Sequence, residues 1–476
     1  MNAFDTALQA SSLQELAAQI ERSKQAYLDL PRAGGNADDI LAAKLAAAHR
    51  RAITQARLLA LAEEEAAAGR LEPRELVTCL KALNLYVGPT DQERLARVLP
   101  DRLLMGEILA HQGQRLPEVP EHHLTAGPDV DLKIEVNRAS AWPFSKWRNM
   151  AEFSEYAYEA EGVRYRGLYL RPGDVLLANV NLDGNSVYTS LSEPKGYCPH
   201  SAVFAILTAD GKRFPAVIET YEKGLRAVPL NVFLNTRYVA YVEIYRHQGL
   251  DAEQCAQIGQ AALEAIVDAR GYNFYTCDVD RHYVSCTSLA QVLFDAVGLE
   301  RVASVSSIGH PGIQKNLERL GYTRFDPFFA PVDFLLNRQF RCVGWVDNNH
   351  FPRLVARELV EAGFRRLFER GELTISRMPL MHHINHWGIG HMRRRTLLGK
   401  LISKVMGFDH LSLPRGPDPM LAIIAPVEAD LGRAVERLMP HVHRHLADRE
   451  SFDLRALLDD PETQSAITSA VRLRWL

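Results

Sequence analysis

Cys286 stands where an amphipathic segment begins, in the stretch HYVSCTSLAQVLFDAVG that runs from His282 to Gly298. A helix that starts near Ser285, whose hydroxyl can cap it, places this cysteine in the first turn. There the exposed backbone N–H groups and the helix dipole favour a negative charge. Such surroundings lower the pKa of a thiol and make it a nucleophile. The same N–H groups could stabilise an oxyanion during acyl transfer.

The same helix also allows an ordinary structural role for Cys286. Leu289, Ala290, Leu293 and Val297 follow it at helical spacing, so the cysteine lies on the apolar face of the segment. Buried free cysteines usually behave as small apolar residues. A catalytic role therefore requires a base from another part of the chain.

A β-hairpin earlier in the sequence supplies both a histidine and a carboxylate. The stretch PHSAVFAILTADGKRFPAVIETYE turns at Asp210-Gly211, which is a strong signal for a two-residue hairpin loop. With that loop, His200 lies opposite Tyr221, and Glu219 lies diagonal to His200 on the same face of the sheet. Diagonal neighbours have Cβ atoms about 7–8 Å apart, within reach of a Glu and a His side chain.

The assignment depends on the register of this hairpin. A slip of one residue would move Glu219 to the other face, and Pro215 predicts an irregular ladder near the turn. With the register intact, Cys286, His200 and Glu219 are the parts of a nucleophile, base and orienting-group triad. The alternatives are a strand-edge histidine with a backbone partner and a solvated strand glutamate.

Five segments in this order resemble the circularly permuted papain-like cysteine hydrolases, the NlpC-type fold in its YiiX-like branch. They are RPGDVLL, HSAVFAIL, AVIETYEKGLRAVPL, GYNF and YVSCTSLAQVLFDAVGL. The resemblance spans roughly Gly167 to Trp345. It implies an α+β fold with a permuted papain-like antiparallel-sheet core.

The resemblance also assigns roles to individual residues. It implies that Cys286 is the nucleophile, His200 the base and Glu219 the group that orients His200, with Tyr272 close to the site. We add Ser285 to Tyr272 as a candidate contact for the substrate or oxyanion. The family often has a glutamate where this chain has Ser288, so that role is not carried over.

Residue composition and hydrophobic periodicity divide the chain into four regions. Ala- and Leu-rich helical patterns come first, a Pro-rich stretch follows, and short β-branched strands then alternate with turns before two helices. Later, an amphipathic helix is followed by MLAIIAP, which we interpret as a strand leading into a helix. We predict a helical region 1–125, a linker 126–164, the permuted papain-like domain 165–345 and an α/β region 346–476.

Composition excludes several classes of function. The chain has 476 residues, 47% of them hydrophobic, and a net charge of -3, so no overall positive field attracts nucleic acid. We find neither a signal peptide nor a run of about 18 apolar residues that would span a membrane. The six cysteines are scattered without a CxxC pair, which fits a reducing cytoplasm. We therefore expect a cytoplasmic protein without cofactor or metal; its oligomeric state stays open.

Two further segments of the C-terminal region have unusual composition. The stretch MHHINHWGIGH holds four histidines, but Trp387-Gly388-Ile389-Gly390 predicts a turn, and a polar surface is favoured over a metal site. The stretch from Arg393 to Phe408 is an apolar stripe with basic residues and no acid. This pattern is typical of an interfacial helix on anionic lipid, although a helix packed on the rest of the protein is the favoured alternative. The four histidines are His382, His383, His386 and His391.

The sequence thus predicts a cysteine hydrolase, peptidase- or amidase-like, that cleaves an amide or ester bond. Its substrate would be a peptide, an amide or a lipid-linked acyl group, and peripheral membrane contact is left open. An acyltransferase that uses a lipid or amine acceptor is the first alternative. A non-enzymatic binding module with a degenerate papain-like pocket is the second.

Overall fold

A computed structural model describes most of the chain. The described residues are 12–29, 37–84, 87–99, 101–111, 156–180, 190–196, 198–209, 212–221, 224–234, 239–275, 279–302, 306–348, 351–371, 380–406, 413–447 and 452–472.

Five helices make up the described part of the N-terminal region, as its composition predicted. Pro73 and Pro89 each begin a helix, where the missing N–H costs no intrahelical bond. The helices are α1 (Leu13–Asp29), α2 (Ala37–Ala67), α3 (Pro73–Leu83), α4 (Pro89–Val98) and α5 (Arg102–His111).

A six-stranded antiparallel sheet forms the centre of the molecule, in the order β11-β8-β4-β5-β6-β7. A three-stranded antiparallel sheet, β1-β2-β3, and a parallel pair, β9-β10, accompany it. β1 and most of β2 fall within the predicted linker 126–164, so the folded part begins earlier than residue 165. The strands are β1 (Ala157–Tyr158), β2 (Val163–Tyr165), β3 (Leu168–Leu170), β4 (Val175–Val180), β5 (His200–Ala209), β6 (Lys212–Tyr221), β7 (Gly224–Pro229), β8 (Val239–His247), β9 (Gly271–Tyr272), β10 (Tyr283–Val284) and β11 (Phe340–Asp347).

The hairpin β5-β6 has the register that the sequence predicts. Ala209 pairs with Lys212, and the pairing continues without a shift to Val203 opposite Ile218. The expected irregularity at Pro215 is therefore absent, and Pro215 pairs with Ile206 in the regular ladder. This register places His200 and Glu219 on one face of the sheet.

Helices cover both faces of the central sheet. Among the described residues, five helices lie between β7 and β11 in the sequence, and two of them, α7 and α8, pack on β5. On the opposite face, Lys44 of α2 donates to the buried Glu243 of β8 at 2.5 Å. The five are α6 (Leu230–Phe233), α7 (Ala252–Asp268), α8 (Cys286–Ala296), α9 (Pro311–Arg319) and α10 (Pro331–Leu336).

The described C-terminal residues, 351–371, 380–406, 413–447 and 452–472, form helices and no strand, so the predicted α/β region is wrong in that part. MLAIIAP lies inside a 30-residue helix, because a short apolar run has no period that separates a strand from a buried helix. The turn predicted at Trp387–Gly390 is also helical. The helices are α11 (Phe351–Glu369), α12 (Leu380–Arg393), α13 (Leu397–Met406), α14 (Asp418–Ala447), α15 (Leu454–Asp459) and α16 (Pro461–Arg472).

The architecture is mixed helix and sheet, in agreement with the predicted α+β class. Within the described part of the chain, every helix is too short or too polar to cross a bilayer.

Candidate active site

Cys286 is the first residue of α8, and the preceding Ser285 is its N-cap. The Ser285 hydroxyl accepts from the backbone N–H of Ser288 at 3.1 Å, and the Ser288 hydroxyl accepts from the backbone N–H of Ser285 at 2.8 Å. This reciprocal pair is a capping box, with serine in the place of the usual Glu or Gln. It fixes the start of the helix at the thiol, and it gives Ser288 a structural role.

His200, the first residue of β5, reaches Glu219 of β6 across the hairpin. The imidazole Nε2 lies 3.0 Å from Oε2 of Glu219, and both residues are buried, at 3% and 1% exposure. The other ring nitrogen, Nδ1, makes no hydrogen bond of standard geometry. It is the nitrogen left for proton exchange with Cys286.

The thiol of Cys286 and the imidazole of His200 perturb each other's pKa. Burial raises the pKa of Cys286, but the His200 hydrogen bond and charge, the backbone N–H of Ser201 and the Tyr272 hydroxyl together lower it below its usual value. Burial lowers the pKa of His200, but its bonds to Cys286 and Glu219 and their charges raise it to about 9. Because the groups interact strongly, they titrate as a pair.

These opposite shifts favour the thiolate–imidazolium pair over the neutral thiol–imidazole pair. Hydrogen bonds at active sites are often long or poorly aligned before substrate binds. Cys286 and His200 can therefore shift each other's pKa although Nδ1 of His200 makes no hydrogen bond of standard geometry. The arrangement has the chemistry of an activated nucleophile.

Arg226 of β7 binds the second oxygen of the Glu219 carboxylate, a contact that was not predicted from the sequence. Its Nε donates to Oε1 of Glu219 at 2.7 Å, leaving Oε2 to His200. Glu219 and Arg226 are direct cross-strand partners in β6-β7. A signal was available: Glu219 and Arg226 flank the short turn in ETYEKGLR, where a second hairpin would pair these opposite charges.

Tyr272 of β9 lies beside Cys286. Its hydroxyl lies 3.8 Å from Sγ of Cys286, and the residue is buried. Its backbone carbonyl accepts from the N–H of Arg415, and Phe274 donates to the Arg415 carbonyl. The loop before α14, which contains Arg415, therefore holds the backbone of Tyr272 in place.

Ser285, the second candidate contact for substrate or oxyanion, is placed differently. Its buried hydroxyl lies 3.0 Å from Oγ of Ser288 and 3.3 Å from Oγ1 of Thr287, besides its capping bond. These contacts make it a positioning residue. The N–H of Cys286 at the helix start is the better oxyanion donor, because the first N–H groups of a helix have no intrahelical acceptor.

The histidines of α12 do not converge in the described part of the chain. His383 and His386 are exposed, and His391 Nδ1 lies 2.9 Å from the Thr396 hydroxyl, while the His382 side chain lies outside the described residues. No three His, Cys, Asp or Glu side chains among the described residues are arranged to hold a metal ion.

Comparison of the chain with models of known families, with curated proteins and with solved structures gave no match.

Proposed function

We propose that the protein is a thiol hydrolase that cleaves an amide or ester bond through an acyl-enzyme on Cys286. The observation that carries this proposal is the buried His200 imidazole, bonded to Glu219 at Nε2 and interacting with the Cys286 thiol. A base oriented by a carboxylate beside a nucleophile at a helix N-terminus is the arrangement that acyl transfer requires. A peptide or an acyl-linked compound is the proposed substrate.

The proposed reaction has two stages. The Cys286 thiolate attacks the carbonyl carbon, and the N–H of Cys286 stabilises the oxyanion. The His200 imidazolium gives its proton to the departing amine or alcohol as the carbon–heteroatom bond breaks, which leaves a thioester. Neutral His200 then takes a proton from water, the hydroxide oxygen bonds to the acyl carbon, and the thiolate leaves. Glu219 keeps the imidazole oriented throughout.

The fold supports the same proposal. His200 and Glu219 lie on adjacent antiparallel strands, and the cysteine begins a helix that packs on those strands. This order of parts is what the permuted papain-like, NlpC-type core in its YiiX-like branch would have. We include that core in the proposal.

An acyltransferase is the second candidate, because one observation favours it. The apolar side chains of α13 are exposed and flanked by basic residues, a surface suited to lipids. An amine or a lipid alcohol would then replace water in the second stage. Product analysis with thioester, amide and lipid-ester substrates, with and without added acceptor, separates the two activities.

The test is the alkylation rate of each cysteine against pH, read by mass spectrometry. The chain contains internal controls: burial raises the pKa of Cys79 and of Cys342 to about 12. We expect Cys286 to label well below pH 8 in the wild type, and the controls to label only after unfolding. His200→Ala should abolish the early labelling, with circular dichroism to verify folding.

A Cys286 rate that rises only near the free-thiol pKa of about 8.5, and that His200→Ala leaves unchanged, would remove the enzyme proposal. The binding-module alternative would then be favoured.

A further inference from the structure

Helix α13 is turned with its apolar side outward. Leu397 is 87% exposed, Leu401 58% and Val405 79%. Among the described side chains of the same helix, Gly399 and Ser403 are the buried ones. The alternative of a helix docked through its apolar stripe is therefore wrong for these side chains.

A close helix contact accounts for this orientation. A Cβ atom on Gly399 would lie 2.0 Å from the carbonyl oxygen of His391, so only glycine lets α13 approach α12 here. The Thr396 hydroxyl caps α13 by accepting from the N–H of Gly399 at 3.0 Å, and it also lies 2.9 Å from Nδ1 of His391 in α12, which ties the two helices. Small residues thus form the closest contact, with Ile402 half-buried beside it, while Leu397, Leu398, Leu401 and Val405 stay exposed.

The neighbouring helix adds two more exposed apolar residues, Ile384 at 46% and Trp387 at 52%. We call the six side chains on α12 and α13 the apolar patch. They are six of the ten large apolar side chains that are exposed in the described part of the chain. Their concentration on one helical pair, rather than scattered singly, marks an interaction surface. The apolar patch consists of Ile384, Trp387, Leu397, Leu398, Leu401 and Val405.

Charge identifies the partner. Exposed basic residues lie in the turn between the two helices, Arg394 and Arg395, and on α13, Lys400 and Lys404, and the sequence from Leu380 to Met406 contains no acidic residue. Lysine is depleted from the centres of protein–protein interfaces, whereas here two lysines are interleaved with the apolar residues. Leucines with interleaved lysines and an exposed tryptophan match a membrane interface.

We propose that α12 and α13 dock on the surface of an anionic lipid bilayer. The apolar patch would insert among the headgroups, and the four basic side chains would bind lipid phosphates. This surface lies one loop from the candidate active site: Arg393 donates to the carbonyls of Pro414 and Gly416, and Arg415 between them pairs with the Tyr272 strand. Docking would bring Cys286 towards a lipid-linked acyl substrate, a step that rests on the proposed function.

Flotation of the full chain with vesicles tests the apolar part of the surface. Vesicles of phosphatidylcholine alone are compared with vesicles that contain phosphatidylserine. We expect binding to the anionic vesicles only, and at least a tenfold loss of partitioning in the variant Leu397→Ser with Val405→Ser. The control, Leu103→Ser with Val267→Ser, makes the same two changes at exposed positions elsewhere (82% and 59%) and should bind like the wild type.

The contribution of the basic side chains to vesicle binding is tested separately. Lys400→Gln with Lys404→Gln should weaken partitioning about 25-fold, since each lysine near an anionic surface contributes a factor of about five. Lys315→Gln with Arg341→Gln removes the same charge from exposed residues of α9 and β11 and should have little effect. Salt should reduce the wild-type binding and have less effect on the Lys400/Lys404 variant.

Tryptophan fluorescence locates the contact. Brominated lipid should quench the wild type and should quench Trp387→Phe less. Cys286→Ala should bind vesicles like the wild type, so loss of the enzymatic proposal would leave this one standing. Equal binding by the apolar variant and its control, or no binding at all, would overturn the proposal. Dimerisation in sedimentation velocity that Leu397→Ser abolishes would assign the patch to a second copy of this chain instead.

Discussion

Arg226 and His200 bind the two different oxygens of one buried carboxylate, that of Glu219. The guanidinium takes Oε1 and the imidazole takes Oε2. The carboxylate is thus held by a fixed positive group on β7 and can orient the titrating group on β5. Three adjacent strands contribute one residue each, so the geometry depends on two hairpin registers at once.

Removing Arg226 should destabilise the fold. Arg226→Met leaves the Glu219 carboxylate buried with one partner fewer, and breaking a buried pair costs about 3 kcal/mol of unfolding free energy. Urea denaturation measures the loss. The control is Arg164→Met, which breaks the exposed pair with Glu159 and should cost less than about 1 kcal/mol.

Combining Arg226→Met with Glu219→Gln completes a double-mutant cycle, which measures the coupling between the two residues. Because the second change removes the stranded charge, the double variant should lose less stability than the sum of the single changes. Additive losses, or a loss for Arg226→Met no larger than for Arg164→Met, would show that the pair does not support the site.

Tyr272 should tune the nucleophile. Its hydroxyl lowers the pKa of Cys286, so Tyr272→Phe should raise that pKa. We expect alkylation of Cys286 at pH 6 to slow by about tenfold, the usual scale for a hydrogen bond to a charged group, with an unchanged limiting rate at high pH.

The matched control for Tyr272 is Tyr158→Phe, which removes a hydroxyl bonded to the backbone of Arg213 on the surface. It should leave the Cys286 profile unchanged. Equal profiles for Tyr272→Phe and wild type would reduce Tyr272 to a packing residue.

Local rules predicted the parts of the site that one hairpin and one helix start define. The Asp210-Gly211 signal in the sequence predicts the register that places His200 beside Glu219, and Ser285 before Cys286 predicts the helix start. The position of Arg226 depends on a second register, that of β6 with β7, which the Asp210-Gly211 signal does not define. The sequence therefore predicted the role of Glu219 but not the Arg226 contact that holds its second oxygen.

Tertiary packing decided the features that local rules did not predict. The outward face of α13 depends on Gly399 fitting against His391, a contact between two helices that periodicity does not reveal. The support of Tyr272 by Arg415 joins residues more than a hundred positions apart. The helix at MLAIIAP likewise follows from a 30-residue element rather than from its own seven residues.

The capping box of α8 should affect both stability and reactivity. Ser285→Ala removes the acceptor for the Ser288 N–H and should cost about 1 kcal/mol. Asp251→Ala removes the corresponding cap of α7, where Asp251 accepts from Gln254, and should have a similar cost. Only Ser285→Ala should slow alkylation of Cys286, because only α8 begins at the thiol. Slowing by both variants would indicate a general loss of stability.

Glu358 should give the protein a pH-dependent stability unrelated to the thiol. Burial raises its pKa to about 7, against the opposing effect of Lys195, whose ammonium lies 2.6 Å away. Because the folded-state pKa exceeds the unfolded value of about 4.5, the stability from this group is complete below pH 4.5 and is lost as pH rises through 7.

Glu358→Gln cannot titrate, so its stability should fall less than that of the wild type between pH 4.5 and 7.5, by about 2–3 kcal/mol in urea denaturation. Glu436→Gln changes an exposed glutamate paired with Arg353 and should follow the wild-type curve. Parallel curves for the wild type and Glu358→Gln would mean that the carboxylate stays ionised beside Lys195 across this range.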